Sequence, residues 1–206
     1  MKKYSVATLL SFVAALAIMS FRPLTTGYSA GDIARDFKLK NVDGKMVSLA
    51  DYPKAKGFIV VFTCNHCPFA KLYESRIEAL DMQFAHKGYP VIAISSNDVQ
   101  VVPDDSPDNM TKLANQHNYT FPYLYDESQE IAHTYGATNT PHTFVLNKEN
   151  GKLVVKYVGA IDDNAQDASQ AKTHYVADAV NALLTGKTVP VTKTKAIGCG
   201  IKWKNS

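Results

Sequence analysis

Cysteine and tryptophan are scarce, with three cysteines and one tryptophan in 206 residues. Three cysteines are too few for a disulfide-stapled scaffold; they leave room for one redox pair and one extra thiol. No internal repeat or low-complexity tract occurs, which excludes a repeat architecture. No block of like charge occurs, which excludes an acidic or basic tail. No second CxxC and no HxxxH occurs, so a tetrahedral zinc site would have to draw on His66, His142 and Cys199 beside Cys64 and Cys67. The remaining composition, 46% hydrophobic and 20% charged, is that of a globular chain able to bury a sizeable core.

The first thirty residues differ from the rest. Lys2 and Lys3 precede an apolar run from Tyr4 to Phe21. A charged start followed by such a run reads as a secretory signal peptide, with an uncleaved membrane anchor as the alternative. No cysteine follows the run, which excludes a lipoprotein anchor. Residues 1–30 carry Lys2, Lys3 and Arg22 and no acid, so without them the formal net charge falls from +3 to 0. The basic character belongs to the leader and gives no support for nucleic-acid binding. Export places the chain in an extracytoplasmic, oxidising compartment such as the periplasm or cell envelope. Contact with the membrane is expected only if the leader stays attached.

The pattern beyond the leader alternates strands and helices. Residues 37–49 read as a hairpin around Asp43-Gly44. Gly57–Phe62 is wholly apolar and reads as a strand buried on both faces, and Val91–Ile94 as a second. Leu72, Ile77, Leu80 and Phe84 recur at helical spacing between Cys67 and His86. Residues 108–116, 127–135 and 173–185 read as further helices. Phe121–Tyr125 is extended, and Thr143–Leu146 and Leu153–Val158 form a hairpin around Asn150-Gly151. The expected fold is α/β, a central mixed sheet flanked by helices in the thioredoxin-like arrangement with an N-terminal β-hairpin extension. Residues 31–188 form that domain, and 189–206 a tail carrying Cys199.

The strand Gly57–Phe62 runs into Thr63-Cys64-Asn65-His66-Cys67-Pro68 and then into a helix. Cysteines three apart at a helix start lie within disulfide reach. The helix dipole and free N–H groups favour a thiolate there. Cys64 is expected to be the exposed nucleophile and Cys67 the buried resolving thiol, with His66 lowering the thiol pKa. A thiolate stabilised in this way favours the dithiol form, although a dedicated reductant could still set the direction. Half a zinc site or an inert disulfide are the alternatives. Thr140-Pro141 precedes the strand Thr143–Leu146, where a cis-proline faces the CxxC in thioredoxin-like folds. Its backbone could pair with substrate as an added strand. Cys199 lies between two glycines, as a further resolving thiol if the tail folds over the site or as an unpaired tail cysteine otherwise.

Cys-Asn-His-Cys-Pro-Phe at 64–69, Ser-Asn-Asp at 96–98, Asp-Asp-Ser-Pro-Asp-Asn-Met at 104–110 and Phe-Pro-Tyr-Leu-Tyr-Asp at 121–126 resemble one group of proteins. So do Tyr-Gly-Ala at 135–137, Thr-Pro at 140–141, Gly-Ala-Ile-Asp-Asp at 159–163 and Gly-Cys-Gly-Ile-Lys-Trp-Lys at 198–204. The group is the peroxiredoxin-like branch of the alkyl hydroperoxide reductase and thiol-specific antioxidant superfamily, and the resemblance covers about residues 32–204. It implies a redox enzyme acting on protein or small-molecule thiols and disulfides with an unidentified redox partner. No cofactor and no metal are expected. Peroxiredoxins resemble Pro-x-x-x-Thr-x-x-Cys around the reactive cysteine. With Cys67 as that cysteine, the Thr position is Cys64 and the Pro position Val60; with Cys64, they are Val61 and Gly57. Neither register fits, so dithiol–disulfide exchange ranks ahead of thiol peroxidase activity, and a non-catalytic metal-binding module comes third.

Overall fold

A computed structural model describes residues 27–204. The leader expected over 1–30 lies outside them except for its last four residues. Gly27 and Tyr28 pack on the body: Gly27 lies against Gly136, Tyr28 N–H donates to Tyr135 O at 2.8 Å, and the two rings meet edge-on at 4.9 Å. The folded body therefore reaches back to Gly27. No helix among the described residues is long and apolar enough to cross a membrane.

The chain runs through β1 (Ile33–Ala34), β2 (Lys38–Asn41), β3 (Met46–Ser48), β4 (Gly57–Phe62) and α1 (Pro68–Phe84). Then follow β5 (Val91–Ser95), α2 (Pro107–His117), β6 (Tyr123–Tyr125), α3 (Glu130–Tyr135) and β7 (Asn139–Thr140). The last elements are β8 (His142–Glu149), β9 (Lys152–Gly159), α4 (Tyr175–Leu184) and β10 (Cys199–Gly200). Eight strands form one mixed sheet in the order β1-β9-β8-β4-β5-β6-β2-β3, while β10 and β7 pair separately. β4, β5 and β6 are parallel, and β8 runs antiparallel to β4. This is the expected thioredoxin-like architecture, with the hairpin β2–β3 added at one edge.

β4 is central because its residues are apolar on both faces. Ile59 and Val61 join Tyr73, Ile77, Leu80 and Phe84 of α1 and Val176 and Val180 of α4 in one core. Phe58, Val60 and Phe62 join Ile131 of α3, Phe144 and the tail residue Ile201 in the other. Alternation at a period of two thus places helices on both sides of the sheet. The β8–β9 turn has Asn150 at φ 49° and Gly151 at φ 77°, as a tight Asn-Gly hairpin requires. Three two-residue strands were not expected: β1 on β9, and the pair β7 and β10.

At the start of β4, Gly57 is buried beside the Leu146 carbonyl and the Tyr89 ring, and a Cβ built there would run into both. Gly57→Ala should lower unfolding stability by about 1–3 kcal/mol through overpacking. The shift should appear as a lower urea midpoint with an unchanged slope. An unchanged midpoint would contradict this packing.

Candidate active site

β4 ends at Phe62, and Thr63 N–H still bonds Ile94 O at 2.8 Å, holding the chain in sheet register up to Cys64. Pro68 opens α1 at the first helical position, where a missing N–H costs nothing. Cys67 precedes it in an extended conformation, φ −65° and ψ 124°. The two cysteines therefore bracket a single turn between strand and helix.

That turn is held by Asp105, which is fully buried. Its Oδ1 accepts Asn65 N–H at 2.7 Å and His66 N–H at 3.0 Å. Its Oδ2 meets His66 Nδ1 at 2.6 Å and accepts Asn97 Nδ2 at 2.7 Å. Asn65 also donates to Asp104 O at 3.0 Å and accepts from the Tyr123 hydroxyl at 2.9 Å. The helix that follows Cys67 carries Glu74 and Asp81 as candidate proton acceptors for its thiol. Neither is placed for it, since Glu74 faces His117 at 3.4 Å and Asp81 accepts Val91 N–H and the Thr120 hydroxyl. Asp105 is the buried acid beside the CxxC turn. It lies in the polar run Pro103-Asp104-Asp105-Ser106-Pro107, and 40 residues separate it from Asn65, whose N–H it accepts.

The Thr140-Pro141 bond is cis, as expected. Cys64 Sγ lies 3.2 Å from Thr140 Oγ1, and Cys67 Sγ lies 3.4 Å from Thr140 O. Cys199 completes the cluster, its backbone N–H donating to Cys67 Sγ at 3.4 Å. The structure thus brings together Cys64, Cys67, Thr140 and Cys199. Pro141 follows Thr140 directly, and Thr63 and Pro68 act through the backbone that sets the turn. His142 stands apart: its Nδ1 accepts Thr138 N–H at 3.3 Å, and burial lowers its pKa to about 4.

One expectation about the thiols is corrected. Cys64 is not exposed: its exposure is 2% and that of Cys67 is 0%, because the tail lies over the turn. The two thiols, which share one contact, shift in opposite directions. The Cys67 thiol is held well below the usual range, first by the Cys64 S–H donating to it and then by the Cys199 thiol and the Ala70 and Cys199 N–H groups. The Cys64 thiol is pushed up, first by that same contact, then by burial and by the Asp105 carboxylate. His66 was expected to add positive charge beside the thiolate; its Nδ1 is turned onto Asp105, which offsets a protonated ring.

Among the described residues, one group has metal-ligand spacing: Cys64, His66 and Asp105, with their ligand atoms within 4.8 Å of one another. It differs from the set that the sequence suggested, and its histidine Nδ1 already bonds the carboxylate. Tetrahedral zinc would need a further donor.

A strand that delivers a CxxC to a helix N-terminus, opposite a cis-proline peptide, defines a thioredoxin-fold oxidoreductase. The AhpC/TSA family pattern matches residues 30–156, most of the chain, and the chain belongs to the AhpC/TSA family. An uncharacterised conserved protein from Geobacillus kaustophilus is 40% identical, with a TM-score of 0.79 over 86% of this chain and 93% of its own. The thiol-disulfide oxidoreductase ResA of Bacillus thuringiensis (strain Al Hakam) is 26% identical over 63% of this chain and 69% of its own. A Mycobacterium tuberculosis protein named as a peroxiredoxin is 30% identical over 64% of this chain and 85% of its own.

Two measurements check the site. Thiolate absorbance of the reduced protein should begin well below the ordinary cysteine value of about 8.5, and Cys67→Ser should move that onset upward. An onset only near the ordinary value would contradict a stabilised thiolate in the pair. In the Cys67→Ser background, Asp105→Asn should lower the Cys64 pKa, because a nearby carboxylate disfavours the thiolate. An unchanged or higher value would place Asp105 outside the electrostatics of Cys64.

Proposed function

We propose that the chain is an exported thiol–disulfide oxidoreductase acting through Cys64 and Cys67 on protein or small-molecule disulfides. The observation that carries this reading is the contact of both sulfurs with Thr140 beside the cis peptide, at 3.2 and 3.4 Å. With β10 drawn back from β7, Cys64 loses its proton and attacks one sulfur of a substrate disulfide. The other substrate sulfur leaves as a thiolate and takes up a proton, and a mixed disulfide joins Cys64 to the substrate. The Cys67 thiolate then attacks the Cys64 sulfur, closing Cys64–Cys67 and releasing the second substrate thiol. Two electrons pass from the dithiol to the substrate, and the reverse sequence oxidises a substrate dithiol. His66 and Asp105 position the turn, with a His66 nitrogen and an Asp105 oxygen within 4.8 Å of the Cys64 sulfur as candidates for its proton.

The leader at residues 1–30 supports export into the periplasm or cell envelope, where a redox partner would restore the resting state. Thiol peroxidase activity is the second reading, supported by the peroxiredoxin name of one relative. Against it, Cys64 occupies the Thr position of that pattern if Cys67 reacts. Arg35 and Arg76, the arginines among the described residues, are bound to Glu130 and Asp162.

The purified reduced protein should reduce insulin disulfides, read as turbidity, with a dithiol as electron donor. Cys64→Ser and Cys67→Ser should each fall to the uncatalysed rate. Rapid peroxide consumption without insulin reduction would reverse the order of the two readings.

A further inference from the structure

The tail does more than cover the site. Gly198 O accepts the Asn139 side-chain amide at 2.9 Å, and β10 then pairs antiparallel with β7, Cys199 opposite Thr140 and Gly200 opposite Asn139. Ile201 N–H bonds Thr138 O at 3.0 Å, and Lys202 N–H bonds Asn97 Oδ1 at 2.8 Å. Trp203 stacks on His133 with centroids 4.1 Å apart. Gly198 permits the close approach, since a Cβ there would run into the Thr140 carbonyl. These bonds fix Cys199 on both sides and aim its N–H at Cys67 Sγ. Cys64 and Cys199 pack with Cys67 in one cluster, and Cys199 alone of the three is partly exposed.

We propose that Cys199 is a third redox thiol that moves the disulfide from the buried pair to the surface. The proposal rests on the reading of Cys64 and Cys67 as the redox pair. The Cys199 sulfur attacks Cys67 Sγ in the Cys64–Cys67 disulfide. The Cys67–Cys199 bond forms as the Cys64–Cys67 bond breaks, and the Cys199 proton passes to the departing Cys64 sulfur. The step is an isomerisation with no net oxidation. It presents a partly exposed sulfur to an incoming thiol reductant, while both sulfurs of the original disulfide are closed to solvent. In the dithiol protein the Cys199 thiol is pushed up to about 11, by burial first and by its hydrogen bond to the Cys67 sulfur second; forming the Cys64–Cys67 disulfide removes that second cause.

Peptide mapping after oxidation with one equivalent of diamide, acid quench and alkylation tests this. Cys64→Ser should yield an internal Cys67–Cys199 disulfide, and the wild type should yield both Cys64–Cys67 and Cys67–Cys199. Gly198→Ala retains all three thiols but pushes the tail off Thr140, and should lose Cys67–Cys199 while keeping Cys64–Cys67. Absence of Cys67–Cys199 from both Cys64→Ser and the wild type would overturn the proposal. So would its undiminished yield in Gly198→Ala, which would make it a product of random encounter. Insulin reduction by the wild type is read in parallel. If it persists without Cys67–Cys199, this proposal alone fails; if it and the Cys64–Cys67 disulfide are both absent, the reading of the site fails.

Discussion

The sulfur of Cys67 sits where α1 begins, and the N–H groups of a helix's first turn have no backbone acceptors of their own. Negative charge on that sulfur is therefore favoured by Ala70 N–H, by the helix dipole and by a Cys199 N–H brought from the far end of the chain. Most other features of the site maintain this arrangement. β4 must end where it does so that Cys64 and Cys67 straddle the turn into α1. Asp105 must reach in to hold that turn, and Thr140 must present one oxygen to each sulfur.

The two cysteines share one environment unequally. Cys67 faces the Ala70 and Cys199 N–H groups as well as the Thr140 carbonyl, whereas Cys64 faces a carboxylate and a hydroxyl. A coupled pair of this kind loses its first proton easily and its second with difficulty. The opposite directions of the two shifts suit a chemistry in which one sulfur attacks after giving up a proton and the other resolves. The tail adds a third sulfur to the same cluster, and it does so by pairing with β7, the backbone edge that an extended substrate would need.

The fold was legible wherever burial imposes a period. The six apolar residues of β4, the helical spacing of Ile77, Leu80 and Phe84, and the Asn150-Gly151 turn each specify one local structure. The N-terminal boundary was less legible, because Gly27 and Tyr28 follow an apolar run and only tertiary contacts with Tyr135 and Gly136 place them on the body. β1, β7 and β10 are two residues long and exist through tertiary pairing, which leaves no periodicity to read. The meeting of the CxxC with the Thr-Pro was legible because both are local motifs next to predicted strands. Asp105 was not, since nothing in a polar loop indicates which backbone it will cap 40 residues away. The burial of Cys64 was also hidden, because its cover is a tail segment more than 130 residues downstream.

The central claim is that the environment of Cys67 stabilises the thiolate and so makes the pair redox-active rather than structural. The reduction potential of the Cys64–Cys67 pair, measured in the Cys199→Ser variant against glutathione buffers, tests it most directly. A stabilised thiolate favours the dithiol form, so the expected potential lies above the range of structural disulfides, which fall below about −300 mV. A pair that stays oxidised throughout those buffers, with a potential below that limit, would contradict the claim.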